Sequence, residues 1–404
     1  MATVLRRWSV LTTAVLFASC AGSHGSLPAI SAASPAGHAL TTAGGATALP
    51  GGGATALPGG GATALPAGDL LVCADGAPAG LADCTLAINV NIPPISDVTT
   101  PSNLLPGLHP ADLQNAYALP AQNAGRTVAI VDAYDDPSAE SDLAVYRTAF
   151  GLPECSSSNG CLEKVNQQGS SASYPAASAA WDEEISLDLD MVSAACPNCK
   201  ILLVEANSNS LEDLGASVDT AASMGAAAIS NSYYGAEWSG ETNDDAHYHH
   251  PGTAITVSSG DSAAPYYPAV SPFVLAVGGT SLSGGEGSWS ESAWSLSGQG
   301  CSAYEPKPDW QGNNRCEGKR STTDVATVAD PQTGVSMYDS TAGGWLVGGG
   351  TSVGAPLIAA AYALSGNSPG PAYSYAHPSS FHDIAPAGYD WPTGLGTPNG
   401  IGGL

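Results

Sequence analysis

Three short stretches of the chain carry residue types suited to acyl transfer. The first is Gly350-Thr351-Ser352-Val353-Gly354-Ala355-Pro356, which opens an Ala-rich segment. A serine at a helix N-terminus lies among backbone N–H groups that lack intrahelical partners, at the positive end of the helix field. A developing oxyanion needs such groups, although the commoner use of serine there is a plain helix cap. The second stretch is Glu184-Ile185-Ser186-Leu187-Asp188. On a helix, this i, i+4 spacing stacks both carboxylates on one face. Like charges so close favour a shared proton and separate the two pKa values, which suits a general base working below neutrality. The competing reading is a solvated acidic face, because Asp182, Glu183 and Asp190 are neighbours; the apolar Ile185, Leu187, Leu189 and Met191 argue against it. The third stretch is Ser258-Ser259-Gly260-Asp261-Ser262, where Asp261 is either a turn residue or a group aimed into a site at a strand end.

These residues need rigid elements to carry them. Thr127–Asp132 is an apolar run of the kind found in buried parallel strands. Pro137–Phe150 has helical spacing, and Glu183–Ala195 is the helix that carries the carboxyl pair. Lys200–Glu205 is a strand, and Ser210-Leu211-Glu212-Asp213 is a helix-start signal for a helix ending near Gly225. Ala228–Ser232, Ala254–Ser258 and Phe273–Gly278 are further strands, and Gly350–Ala363 is a final helix. Such alternation predicts an α/β fold with a doubly wound, mostly parallel sheet and helices on both faces. Catalytic residues in these folds sit at the carboxyl ends of strands.

The 404 residues include 10 Lys+Arg against 36 Asp+Glu, a formal charge of −26. With so little positive charge, no nucleic acid partner is expected. Arg6 and Arg7 precede an apolar run that ends in Phe17-Ala18-Ser19-Cys20. Residues 1–20 therefore read as a signal peptide, either an ordinary one or a lipoprotein signal that would attach the mature chain to a membrane through Cys20. Residues 21–68 are an Ala/Gly/Pro-rich tether with three copies of an eight-residue unit, too poor in burial to offset its ordering entropy. Residues 69–108 form a short N-terminal head. Beyond Cys20 there are eight cysteines, an even number that fits an oxidising compartment. The simplest pairing is sequence-local: 73–84, 155–161, 196–199 and 301–316.

Taken together in this order, the three chemical motifs resemble those of the sedolisin family, the serine-carboxyl peptidases of subtilisin-like fold. Tyr267–Thr280, Thr323–Gly334 and Gly394–Pro398 are similar to further family segments, so the resemblance covers roughly 109–404. It implies a secreted, acid-active endopeptidase, monomeric, acting on proteins or peptides. Ser352 would be the nucleophile, Glu184 the general base, Asp188 its support and Asp261 the oxyanion-hole residue. Ser232, Tyr233, Tyr234 and Gly235 would pair with extended substrate. A family calcium site would use Asp383, Ile384, Gly388 and Asp390, across a loop shorter than the family's. The family usually has a large N-terminal prodomain, so either activation differs here or the head is a prodomain remnant. Two rival chemistries use the histidines of Asp245–His250: a Ser–His–Asp triad with Asp132, or a zinc site. A different class of reading is a non-catalytic surface or binding protein on a peptidase fold.

Overall fold

The computed structural model describes residues 67–73, 76–121, 125–312, 315–367, 370–384 and 388–404. Residues 1–20, read as a signal peptide ending at Cys20, and residues 21–66 of the expected tether lie outside them. The described chain opens with three short strands, β1 (Asp69–Leu71), β2 (Asp83–Cys84) and β3 (Ala87–Asn89). Helix α1 (Pro110–Ala116) follows. Pro110 takes its first position and Asp112 accepts a hydrogen bond from the His109 amide, so the entry is fixed by local chemistry.

Next comes β4 (Thr127–Ala133), buried from Val128 onward as its unbroken apolar run requires. After it run α2 (Ala139–Ala149), β5 (Leu162–Asn166), α3 (Ala179–Ala195) and β6 (Lys200–Ala206). Helix α3 starts a turn before the sequence expectation. Then come α4 (Leu211–Ser223), capped by Ser210 accepting from the Asp213 amide as expected, β7 (Ala228–Asn231), β8 (Tyr233–Tyr234) and β9 (Ala254–Ser258). Strand β10 (Leu275–Gly285) overruns its predicted end. Its second half leaves the parallel sheet to pair with β11 (Ser288–Ala293), through Ser and Gly positions that carry little strand signal.

The main sheet has the order β11-β10-β9-β7-β4-β6-β5. A further strand, Val325–Val328, lies beside β10. Every neighbour is parallel except the β10–β11 hairpin. Helices flank the sheet, and α3 packs on β4 and on the final long helix Gly354–Ser365. This is the expected architecture. That final helix is apolar on all sides and buried from Gly354 to Leu364, as a core helix must be. Gly366, at φ 75°, ends it.

A second sheet is antiparallel and places β1 beside β3, β3 beside Gly344–Gly349, and that strand beside Val335–Asp339. The head thus shares a sheet with the strand that leads directly into Ser352. The cysteines form the four sequence-local bridges, Cys73–Cys84, Cys155–Cys161, Cys196–Cys199 and Cys301–Cys316. Cys196-Pro-Asn-Cys199 is therefore a disulfide joining the end of α3 to β6.

Candidate active site

Helix α3 delivers the carboxyl pair. Glu184 and Asp188 lie one turn apart and both are fully buried. Ser352 sits in a 3-10 turn, Thr351–Val353, immediately ahead of the final helix and not inside it. Gly350, at φ 86°, aims that turn. A side chain there would collide with the Thr85 carbonyl oxygen and with Asp261 Oδ2, at 1.8 and 2.6 Å from an added Cβ. Glycine is required on both counts. Asp261 follows β9, and its Oδ1 accepts from the Thr351 amide at 2.9 Å and the Thr351 hydroxyl at 2.8 Å. The loop after β9 and the turn before the final helix are thus tied together beside Ser352.

Ser232 lies between β7 and β8, and its hydroxyl donates to both Asp188 oxygens, at 2.8 and 2.9 Å. It therefore holds the carboxyl pair through its side chain as well as presenting its backbone. Burial raises the Asp188 pKa, helped by the charges of Asp132 and Glu184, while Ser232 and Ser230 act against the rise. Burial also raises Glu184, again helped by Asp132. The Ser352 hydroxyl and the Thr85 amide stand near enough to Glu184 to oppose this. Neither oxygen of Glu184 closes a full hydrogen bond among the described residues.

Asp132, at the carboxyl end of β4, is the third carboxyl of this cluster. It is fully buried, and burial raises its pKa to about 8. The sequence reading had offered Asp132 only as a partner for a histidine triad. Its position at a strand end was the available signal, and only the fold brings it to the α3 pair.

The histidines go elsewhere. His247 Nδ1 lies 2.7 Å from Asp219 Oδ2, His250 Nε2 lies 2.9 Å from Asp219 Oδ1, and His249 stacks on Phe273. Among the described residues no histidine bonds Ser352, Glu184 or Asp188, and no group of three or more His, Cys, Asp or Glu is placed to hold a metal. This removes the triad and zinc readings.

At the C-terminal loop, Asp390 is buried, and its Oδ1 accepts from the Thr393 amide and hydroxyl. Its Oδ2 has no hydrogen-bond partner among the described residues. The charge of Asp383 contributes to raising the Asp390 pKa, after burial. Asp383 Oδ2 accepts from the Gly388 amide at 2.6 Å. Two neighbouring carboxylates, one with an unpartnered buried oxygen, are a donor set suited to a hard cation such as calcium.

The cleft over Ser352 is filled by the chain's own head. Strand β2 pairs antiparallel with β8, Asp83 opposite Tyr234 and Cys84 opposite Tyr233. The Thr85 amide donates to the Ser232 carbonyl at 3.3 Å. The Thr85 hydroxyl lies 2.5 Å from Ser352 Oγ and 2.9 Å from Ser258 Oγ. Ser232–Tyr234 thus pairs with an extended strand, residues 83–85, while Gly235 pairs with Tyr267.

A mostly parallel sheet of this order, with a serine and a carboxyl pair gathered under one cleft, is a subtilisin-like fold. In sequence and in fold the chain is similar to members of the sedolisin family. It is 28% identical to kumamolisin of Bacillus sp. (strain MN-32) over 72% of its own length, and spans 62% of that relative. It is 33% identical to sedolisin of Pseudomonas sp. (strain 101), over 32% of its length and 28% of that protein. The solved structure of Pseudomonas sedolisin, a serine-carboxyl proteinase complexed with two molecules of pseudo-iodotyrostatin, superposes with a TM-score of 0.63 at 26% identity. The match covers 73% of this chain and 96% of that one. No family model matches.

Proposed function

We propose that the chain is an exported serine-carboxyl endopeptidase that hydrolyses peptide bonds in acid. The observation that carries this reading is the convergence of Glu184, Asp188, Asp261 and Ser352, all buried, beneath a strand edge that holds an extended peptide. Substrate backbone adds to Ser232–Gly235. Ser352 Oγ attacks the carbonyl while Glu184 takes its proton and later passes it to the leaving amine. Asp188, held by Ser232, and Asp132 are positioning residues that keep protons shared within the carboxyl cluster. Asp261, fixed through Oδ1 by Thr351, donates to the oxyanion from its other oxygen, which requires that oxygen to be protonated. A carboxylate base together with a protonated carboxyl donor suits acid.

The remaining assignments belong to the same proposal. The protein is exported behind residues 1–20, with a lipid on Cys20 or free secretion, and acts as a monomer on protein or peptide substrates. A structural calcium ion at the C-terminal loop would be held by Asp383, Asp390 and the carbonyls of Ile384 and Gly388. It would brace that loop and take no part in the reaction. A non-catalytic binding protein on this fold has no observation in its favour. The test is casein hydrolysis at low pH: the wild-type chain hydrolyses it and Ser352→Ala does not. Hydrolysis unaffected by Ser352→Ala sinks the reading.

A further inference from the structure

Beside Ser352, the side chain of Thr85 lies in a small and fully enclosed space. The Thr85 amide donates to the Ser232 carbonyl at 3.3 Å, and Cys84 and Asp83 continue the pairing along β8. The Thr85 carbonyl oxygen and Asp261 Oδ2 crowd the same point beside Gly350. Thr85 therefore stands where a residue whose carbonyl is attacked must stand, and its side chain marks the pocket such a residue uses. The floor of that pocket is Ser258, the last residue of β9, which is fully buried. The Thr85 hydroxyl donates to Ser258 Oγ at 2.9 Å, whereas the bond from Ser258 Oγ to the Tyr233 carbonyl is long, 3.5 Å. Two rings close the gap between β8 and the loop after β9. Tyr234 meets Tyr266 edge to face, with centroids 4.5 Å apart. Tyr266 lies so close over Gly260 that an added Cβ would come within 2.6 Å of the ring, and its hydroxyl bonds Ser262 Oγ. The two walls are tied together. Gly235 and Tyr267 exchange both backbone hydrogen bonds, at 2.7 and 3.1 Å. The Ala263 amide donates to the Leu296 carbonyl at 3.0 Å, and the Gly298 amide to the Gly260 carbonyl at 2.7 Å.

Resting on the peptidase reading above, we infer that the enzyme cuts its substrates after a small residue bearing a hydroxyl group, threonine above all, and that Ser258 and the Tyr234–Tyr266 ring pair set this choice. The rings set the size. Leucine and phenylalanine extend beyond the reach of threonine, into the gap that Tyr234 and Tyr266 close. In a close-packed and pinned pocket, added volume forces strain. Ser258 sets the polarity. A bound threonine gives the buried Ser258 hydroxyl a short partner, as Thr85 does. Valine has the same shape but withdraws that partner, and a buried hydroxyl left without one costs free energy. Serine keeps the hydroxyl and loses only the contacts of the methyl group.

The experiment offers the purified full chain, in acid, a series of peptides identical except at one position, which is Thr, Ser, Val, Leu or Phe. It reads kcat/KM for cleavage after that position, with the cut located by mass. Thr should lead, with Val about tenfold lower and Leu and Phe about a hundredfold lower. Ser258→Ala should bring Thr and Val to within about twofold of each other, since no hydroxyl is then left to satisfy. Tyr266→Ala removes one half-buried ring and should raise Leu relative to Thr by about tenfold. Where Tyr266→Ala does not fold, the wild-type ranking and Ser258→Ala still decide. A wild-type ranking led by Leu or Phe, or a Thr-to-Val ratio that Ser258→Ala leaves intact, overturns the inference while hydrolysis of casein keeps the peptidase reading standing. A chain that cleaves neither the peptides nor casein removes both.

Discussion

Glu184→Gln keeps the shape of the side chain in a fully buried position but cannot accept the Ser352 proton. Turnover should fall by about 10²–10⁴-fold, the usual contribution of a positioned general base. A steady-state assay checks this, and wild-type turnover in that variant would remove Glu184 from its role. Asp261→Asn separates donor from proton. An amide donates at any pH, whereas a carboxyl group donates only when protonated. The variant should keep measurable activity and lose less of it as pH rises than the wild type does; a profile parallel to the wild type would mean that the protonated form of Asp261 is not what matters. His247→Ala, His249→Ala and His250→Ala together should leave activity unchanged, since these rings engage Asp219 and Phe273. The four proposed catalytic residues were legible in the sequence because each sits in a contiguous motif whose spacing has a chemical meaning. Asp132 and Thr85 were not. Their roles come from neighbours roughly fifty and well over two hundred residues away in sequence, and no local pattern encodes such a meeting.

At the scale of elements, strands and helices with one strong signal were readable: β4 by its apolar run, α4 by its Ser210 cap, the final helix by its alanines. Elements whose reason is tertiary were not. β2 and β3 are two and three residues long, and exist because β8 and Gly348–Gly349 offer them edges. Another such tie is the ion pair between Arg320 and Asp324, both fully buried, with Arg320 Nη1 2.8 Å from Asp324 Oδ1. Asp324 also accepts from the Ala276 amide in β10 and from the Tyr375 hydroxyl, so one carboxylate joins the main sheet to the C-terminal segment. Arg320→Ala leaves that charge buried without its partner and should destabilise the fold by about 3–5 kcal/mol. Denaturant unfolding measures this, and a midpoint unchanged at constant slope contradicts it. The C-terminal loop makes a separate prediction. If Asp383 and Asp390 hold calcium, a chelator should lower the melting temperature and added calcium should restore it by mass action. A melting temperature indifferent to both, after dialysis, removes the ion from the proposal.

Across the whole molecule the acidic composition has a thermodynamic consequence. The chain carries a formal charge of −26 at pH 7, and many of its carboxyl groups are buried. Burial is the first cause of the raised pKa at each of several: Asp136 and Glu183 to about 7, Asp132 and Glu305 to about 8, Glu241 to about 9. In the unfolded chain the same groups titrate near the ordinary carboxyl value of about 4. Between about pH 4 and pH 9 the folded state therefore binds more protons than the unfolded state, and stability falls as pH rises. The contribution is fully present below the unfolded values and is lost as each group is forced to ionise inside the fold. Self-repulsion of the net negative charge acts in the same direction. Asp97 opposes it: its pKa is lowered by its bonds to Thr99, and its stabilisation is lost only toward strong acid. Calorimetry should accordingly give the highest melting temperature in mild acid and a steady decline toward pH 8. Glu305→Gln offers a check on the cause. Glu305 is raised by burial and then by the charge of Asp245, and the amide keeps the size of the side chain with no proton to lose. That variant should melt less steeply with pH between about 5 and 8 than the wild type, with the difference largest at the alkaline end. A melting temperature that rises from pH 4 to pH 8, or a Glu305→Gln slope identical to the wild type, would show that these buried carboxyl groups find compensation that burial and local charge do not provide.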